Sequence, residues 1–324
     1  MANLFAVTDL VAKESLRIAH EKLQFIGTVD RQYDSSFSQS GQNPRHGATL
    51  RVRYPNQYTR RQGSRVMDVQ EQSEATQTIT VATQDGVDMR FNSQELIQSV
   101  NNDGAFDSLS QNYIEPAIAV MCSGIESDFL AFCTKATYNT AGTAGTPPTD
   151  LVAVGAARAK LNQYLAPKDG NRYVQMDSVT MGGVVNGLKG LFQDSSQIRE
   201  QYREGMLGRT AMADFYENDR MWTMSNGSDV TGTTDSAALV TDGGSTIDIH
   251  TTVATSAQVV GQVFTIAGVY ACHPETKANF GTLKQFVFTA VTSGGGIASI
   301  SPQIFLTGPR QNVCTSTGGQ LATT

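Results

Sequence analysis

Residues 263–305 read VFTIAGVYACHPETKANFGTLKQFVFTAVTSGGGIASISPQIF. Stretches rich in Val, Ile, Phe, Tyr and Thr alternate with polar positions and are parted by His-Pro-Glu-Thr and Ser-Gly-Gly-Gly. That pattern belongs to short, half-buried strands joined by turns. STIDIHTTV, at 245–253, adds another run of the same kind. From Asn226 onward the only Lys or Arg residues are Lys277, Lys284 and Arg310, among many Thr, Ser and Gly. The region therefore reads as a separate all-β module, a small barrel or sandwich, inserted into or appended to the rest of the chain.

Inside this stretch Cys272 directly precedes His273, so the pair has to be weighed as a nucleophile and its base. Neighbouring residues on an extended chain point to opposite faces, which places them badly to share a proton. A metal centre would need further ligands; His250 and Cys314 could be recruited, but no spacing demands them. The expected role is a strand running into a turn, with Pro274 fixing the backbone after the pair. Elsewhere the chain has no H-E-x-x-H, G-x-S-x-G, Walker loop or G-x-G-x-x-G. No catalytic residue, cofactor site or metal site is expected, and the chain is read as a non-enzyme.

Composition sets further bounds. The 324 residues are 40% apolar and 17% charged, enough for a substantial core. A net charge of −6 and pI near 5.3 argue against a general nucleic-acid binder. Four scattered cysteines (Cys122, Cys133, Cys272 and Cys314) suit a reducing compartment better than a disulfide framework. MANLFAVTDL lacks the charge and apolar run of a secretory leader, and no uninterrupted apolar stretch approaches the ~20 residues of a membrane helix. A cytosolic, soluble product with no membrane partner is expected.

Upstream of the β module the pattern is mixed. The first 25 residues read as an amphipathic helix, with Thr8 as N-cap and Val11, Leu16, Ala19 and Leu23 on one side; a polar arm follows over 27–47. In ATLRVRYP, Leu50, Val52 and Tyr54 alternate with Arg51 and Arg53, predicting a strand with one apolar and one cationic face. TQTITVATQDGVDMRF alternates again, and Gln84-Asp85-Gly86 predicts a hairpin turn between Val81 and Val87. Residues 48–91 are thus expected to be a long, protruding β element.

A helix of about 33 residues is expected over 104–136, ~50 Å long. Its stripe would be Phe106, Leu109, Tyr113, Ala117, Met121, Ile125, Phe129 and Phe132, with Ile114, Ile118 and Cys122 beside it and a kink at Pro116. Cys122 and Cys133 read as inert core thiols, and Trp222 as an apolar anchor. Thr149 or Asp150 can cap a second helix over 151–165, followed by the strand RYVQM and a helix through Val184–Phe192. The glycines of MGGVVNGLKGLF fit close packing around a short helix better than a phosphate loop. The fold class expected is α+β.

Six arginines, Arg45, Arg51, Arg53, Arg60, Arg61 and Arg65, lie in a segment without Asp or Glu between Asp34 and Asp68. Guanidinium groups fork phosphate and carboxylate alike. Three uses stay open: ion pairing with acidic patches on other copies of the chain, nucleic-acid binding, or a solvated positive face.

Two stretches resemble a known family. LKGLFQDSSQIREQYREGMLGRTAMADFYEND (188–219) and the 263–305 stretch are similar to the coat proteins of podovirus-type tailed phages, which have the Hong Kong 97-type major capsid protein fold with an inserted β-barrel domain. The order of parts along nearly the whole chain agrees. The resemblance implies a major capsid protein that packs through pentamers and hexamers into an icosahedral head enclosing double-stranded DNA. Copies of itself would be the main partners, with scaffold, cement or decoration, and portal proteins as further candidates. The chain would assemble in the host bacterial cytoplasm and reside in the virion shell.

The domains implied are an N-terminal helix and arm (1–47), an E-loop-like hairpin (48–92), a peripheral domain with a long spine helix (93–138), an axial domain (139–224), the inserted domain (225–312) and a return segment (313–324). Arg51, Arg53, Arg60, Arg61 and Arg65 become candidate intersubunit contacts. Family chains continue well past the SPQIF strand, whereas this one ends at GGQLATT. The chain is therefore expected either to lack a C-terminal portion or to close its core with a different strand connectivity.

Overall fold

The structure is a computed structural model and describes residues 13, 15–19, 23, 25–29, 49–63, 65–67, 69–71, 74–90, 110–187, 209–210, 212–227, 233–234, 241–250, 258–291 and 296–318. It is α+β, as expected: helices, a small mixed sheet and a larger curled sheet. Thr8, Val11, most of the 27–47 arm with Arg45, Phe106 and Leu109, and residues 188–208 of the first resembling stretch lie outside the described residues.

Strands β1 (Thr49–Arg53) and β2 (Thr76–Thr80) form a two-stranded antiparallel ribbon, from Thr49 opposite Thr80 to Arg53 opposite Thr76. In β1 the alternation behaves as read: Leu50 and Val52 are half-buried, while Thr49, Arg51 and Arg53 are exposed. The turn lies elsewhere than expected. The ribbon closes through residues 54–75, and the Asp85-Gly86 dipeptide closes no hairpin, because 81–90 form no strand and every one of them is exposed. Alternation favours a strand only when one face finds something to pack on, and Val81, Val87 and Met89 are all exposed among the described residues. Reciprocal bonds between Thr59 and the Gln70 amide brace the connection, at 2.9 and 2.7 Å.

A π-helical turn over Ser110–Ile114 leads into α1 (Glu115–Ala136). Pro116 stands at the start of this helix. It sits in the first α-turn, where its missing N–H has no helical partner to lose. The buried positions are Ile114, Ile118, Cys122, Glu126 and Leu130, the row that runs beside the expected stripe. Tyr113 and Phe132 are exposed. Two adjacent rows of this helix are apolar enough to face inward, and contact with Ile18, Ala19 and Leu23 selects one of them. By length and mean hydropathy the stretch Gln111–Ala136 would also pass as a bilayer span, yet Glu126 and Asp128 interrupt it and its Ile118–Cys122 side is packed on protein.

Helix α2 (Leu151–Gln163) begins where the Asp150 carboxylate accepts the Val152 amide at 3.0 Å. Strand β3 (Tyr173–Met176) and helix α3 (Ser178–Gly187) follow, then the short β4 (Arg209–Thr210) and β5 (Ala213–Glu217). The three strands order as β3-β5-β4, with β3 parallel to β5. Val154, Met176, Met181, Val184 and Phe215 make the core that seals the helices onto this sheet. Gly187 bears out the close-packing reading: a Cβ there would lie 2.3 Å from the Thr149 carbonyl oxygen.

The remaining strands are β6 (Thr233–Thr234), β7 (Gly244–His250), β8 (Val263–Cys272), β9 (Asn279–Ala290), β10 (Gly296–Ile304) and β11 (Val313–Cys314). They form one antiparallel sheet in the order β11-β8-β9-β10-β7-β6. Its ends do not meet among the described residues, so the module is a half-barrel in place of the closed barrel or two-sheet sandwich expected. Because β11 pairs with β8, the boundary expected at 312 would cut through the sheet. Phe286, Phe288, Ile300, Ile304, Leu306 and Val313 fill its concave core, and Phe264 stacks on Phe288 at 4.2 Å.

Gly261, at the entry to β8, presses on α1. Its φ is +95°, and a Cβ would lie 2.9 Å from Lys135 Cα. We expect Gly261→Ala to destabilise the protein by about 1–3 kcal/mol through the left-handed backbone alone, with the clash adding to it. Gly155, mid-helix with open space around its Cα, should do the reverse: Gly155→Ala should gain up to ~1 kcal/mol. Urea unfolding of the two variants checks both signs.

Candidate functional site

The cationic ribbon is the first candidate. Arg51 and Arg53 project from β1, and Arg60, Arg61 and Arg65 lie in the connection that closes it; all five are exposed. Arg53 approaches Glu74 at 3.5 Å across the ribbon, with both side chains mostly in solvent. An exposed pair of that kind contributes little. Arg51, Arg60, Arg61 and Arg65 have no carboxylate partner among the described residues. Apolar side chains share the same element: Val66, Met67 and Val69 are exposed by 75%, 83% and 83%. The ribbon and its connection thus combine exposed guanidinium groups with exposed apolar side chains.

The Cys272–His273 pair offers no catalytic geometry. The Cys272 thiol is buried at the end of β8 and donates to the Gln311 carbonyl at 3.5 Å. Burial, then the neighbouring Cys314, pushes its pKa up to about 11, the wrong direction for a nucleophilic thiolate. The His273 ring is engaged otherwise: Nδ1 accepts the Glu275 and Thr276 amides at 3.1 and 3.2 Å and so shapes the turn. Lys277 closes that turn by donating to the carbonyls of Pro274, Pro309 and Gln311. Among the described residues no group of three or more His, Cys, Asp or Glu could hold a metal ion. Cys122 is buried as expected, Cys133 is half-buried, and burial raises both thiols above their ordinary range.

Two buried charges escaped the sequence reading. Lys284, on β9, is 2% exposed. Its Nζ donates to Tyr164 Oη at 3.1 Å and lies 4.4 Å from the Tyr164 ring and 5.3 Å from that of Tyr138. No carboxylate pairs with it among the described residues, so burial pulls its pKa down to about 8, with nearby Cys272 opposing. Burial also drives Tyr164 up to about 12. Next along β9, Gln285 exchanges hydrogen bonds with Thr140 and accepts from Lys160 Nζ at 2.5 Å. This hub fastens the half-barrel to the ends of α1 and α2. The second buried charge is Glu126, which accepts from Arg220 Nη1 at 2.6 Å and from the Phe25 amide at 2.8 Å. Trp222 takes the Lys135 ammonium over its ring at 4.9 Å, so it is more than an apolar anchor.

Both signals could have been found in the sequence. Lys284 shares the inward phase of Phe286 and Phe288, and Glu126 falls four residues after Cys122 and four before Leu130. A charge at a core phase is buried only with help from elsewhere in the chain, and that help comes from residues that are distant in sequence.

No protein-family model matches the chain. No curated protein matches it either. Among solved structures it matches one described as "Mycobacterium phage Che8", with 12% identity over 92% of this chain and 89% of that one and a TM-score of 0.46. A likeness of that size carries no weight for activity or assembly.

The Lys284 hub has a pH signature. Folded, Lys284 releases its proton near pH 8; unfolded, near 10.5. Between those values the unfolded chain holds more protons, so stability rises with pH. Cys272 acts oppositely, because above its ordinary 9.0 the unfolded thiol ionises while the folded one waits until about 11. We expect the melting temperature to climb from pH 8 toward 9, to level off while the Lys284 and Cys272 effects cancel, and to fall above about pH 10.5, where only the Cys272 effect remains. Lys284→Met should abolish the climb, as followed by circular dichroism; an unchanged climb would mean the ammonium is not desolvated.

Proposed function

We propose that the chain is the major capsid protein of a tailed double-stranded DNA bacteriophage, a non-enzymatic subunit of Hong Kong 97-type fold. It assembles through pentamers and hexamers into the icosahedral head, in the host cytoplasm, and its site is an intersubunit surface. The observation that carries the reading is the ribbon of residues 49–80. Its arginines are exposed, and so are the apolar side chains of Met67 and Val69 among the described residues. In a monomer such an element is an aggregation hazard, whereas in a lattice every copy has a neighbour to lay it on. The resemblance of 188–219 and 263–305 to podovirus-type coat proteins, the long α1 and the half-barrel module support the same reading. Scaffold, cement and portal proteins and packaged DNA are the further partners it implies.

Negative-stain microscopy of the purified protein over a range of salt concentrations tests this. Shells or capsomer-sized rings are expected, and monomers under every condition, scaffold included, would end the proposal. Replacing Arg51, Arg53, Arg60 and Arg61 together by Gln should weaken self-association several-fold. The alternative, a nucleic-acid-binding protein using the arginine-rich hairpin, draws on the same unpaired guanidinium groups. It predicts duplex binding that falls steeply with salt and is lost in that quadruple variant while association is unchanged.

A further inference from the structure

An apolar groove opens between α2 and β3, and none of the described residues fills it. Ala153, Ala157 and Leu161 form one wall and Val174 and Met176 the other, enclosing about 310 Å³. Arg158 and Arg172 stand at its border and also line an adjoining hollow of about 80 Å³, to which Lys168 contributes. Arg172 is held by the carbonyls of Ala166 and Pro167, and Arg158 donates to Met212 Sδ. None of these three cations has a carboxylate partner among the described residues. In a chain of net charge −6 this is a local positive excess around an apolar opening.

Residues 81–89, VATQDGVDM, carry the complementary features. The segment is exposed along its whole length, with Val81 at 60%, Val87 at 42% and Met89 at 43%. Asp85 and Asp88 sit among these side chains, and neither enters an ion pair among the described residues. On an extended chain Asp85, Val87 and Met89 share a face at steps of ~7 Å. Two apolar side chains with a carboxylate in line match an apolar slot with guanidinium groups at its border.

We propose that residues 81–89 of one copy dock in the α2–β3 groove of a second copy. Val87 and Met89 enter the slot and Asp85 pairs with Arg158 and Lys168. The inference rests on the chain being self-assembling, and it names the surface that receives the acidic half of the exposed segment.

The test mixes full-length Val87→Cys chain with full-length Leu161→Cys chain, oxidises the assembled material and separates it on a non-reducing gel. A covalent dimer is expected from the mixture and from neither chain alone. Arg158→Glu on the Leu161→Cys chain should cut the dimer yield at least fivefold, and Asp85→Arg with Asp88→Arg on the other chain should restore it. Lys168→Glu, on a side chain without an ion-pair partner among the described residues, serves in place of Arg158→Glu if circular dichroism shows that variant misfolded. A dimer yield that ignores charge reversal, or no dimer, overturns the docking. Shells in micrographs without cross-links would remove this inference alone, whereas neither shells nor cross-links would remove the capsid reading as well.

Discussion

The carboxylate of Glu126 is fully buried on the inward side of α1, and two distant pieces of chain converge on it. Arg220, just past β5, binds one oxygen, and the Phe25 backbone amide binds the other. Desolvating a carboxylate is costly, and here a guanidinium and a backbone N–H offset that cost together. The arrangement is intolerant of partial loss: deleting one member of a buried pair costs roughly 3–5 kcal/mol, because the survivor stays desolvated. The same contact sets the geometry around it. It draws Phe25 against Phe129, ring centres 5.4 Å apart, and fixes which row of α1 meets Ile18.

A second polar junction does for the half-barrel what Glu126 does for the N-terminal segment. Lys284 reaches from β9 into a box made by Tyr138 and Tyr164, while Gln285 faces Thr140 and Lys160. Hydrogen bonds and ring faces replace the missing counter-ion, and the depressed pKa measures how incompletely they do so. Apolar burial holds each part together internally, through Phe286 and its neighbours in one case and Val184 and Met176 in the other. Between parts, directional polar contacts dominate. Such contacts select one docking geometry, since a shifted sheet would strand Lys284 without Tyr164.

Against this fastened interior, the ribbon and the 81–90 segment stand out. They follow the local rules of strands, alternation and β-branched residues, but lack a core of their own. Their guanidinium groups, carboxylates and apolar side chains are exposed to solvent. Likewise the α2–β3 groove is apolar and bordered by Arg158 and Arg172, which meet no carboxylate among the described residues.

Much of this was legible one element at a time. The strands of 244–304 follow from period-two runs between Gly- and Pro-containing turns, the start of α2 from Asp150, and the strand end at Cys272 from the turn residues that follow it. These depend on interactions within a few residues, so the sequence alone determines them. Only the tertiary structure decided which row of α1 faces inward, where the ribbon closes, that the sheet stays open at β6 and β11, and that Lys284 and Glu126 are core charges. Each of those outcomes turns on whether a partner far along the chain, Ile18, Arg220 or Tyr164, arrives to cover a surface or satisfy a charge. Local periodicity carries no information about that arrival.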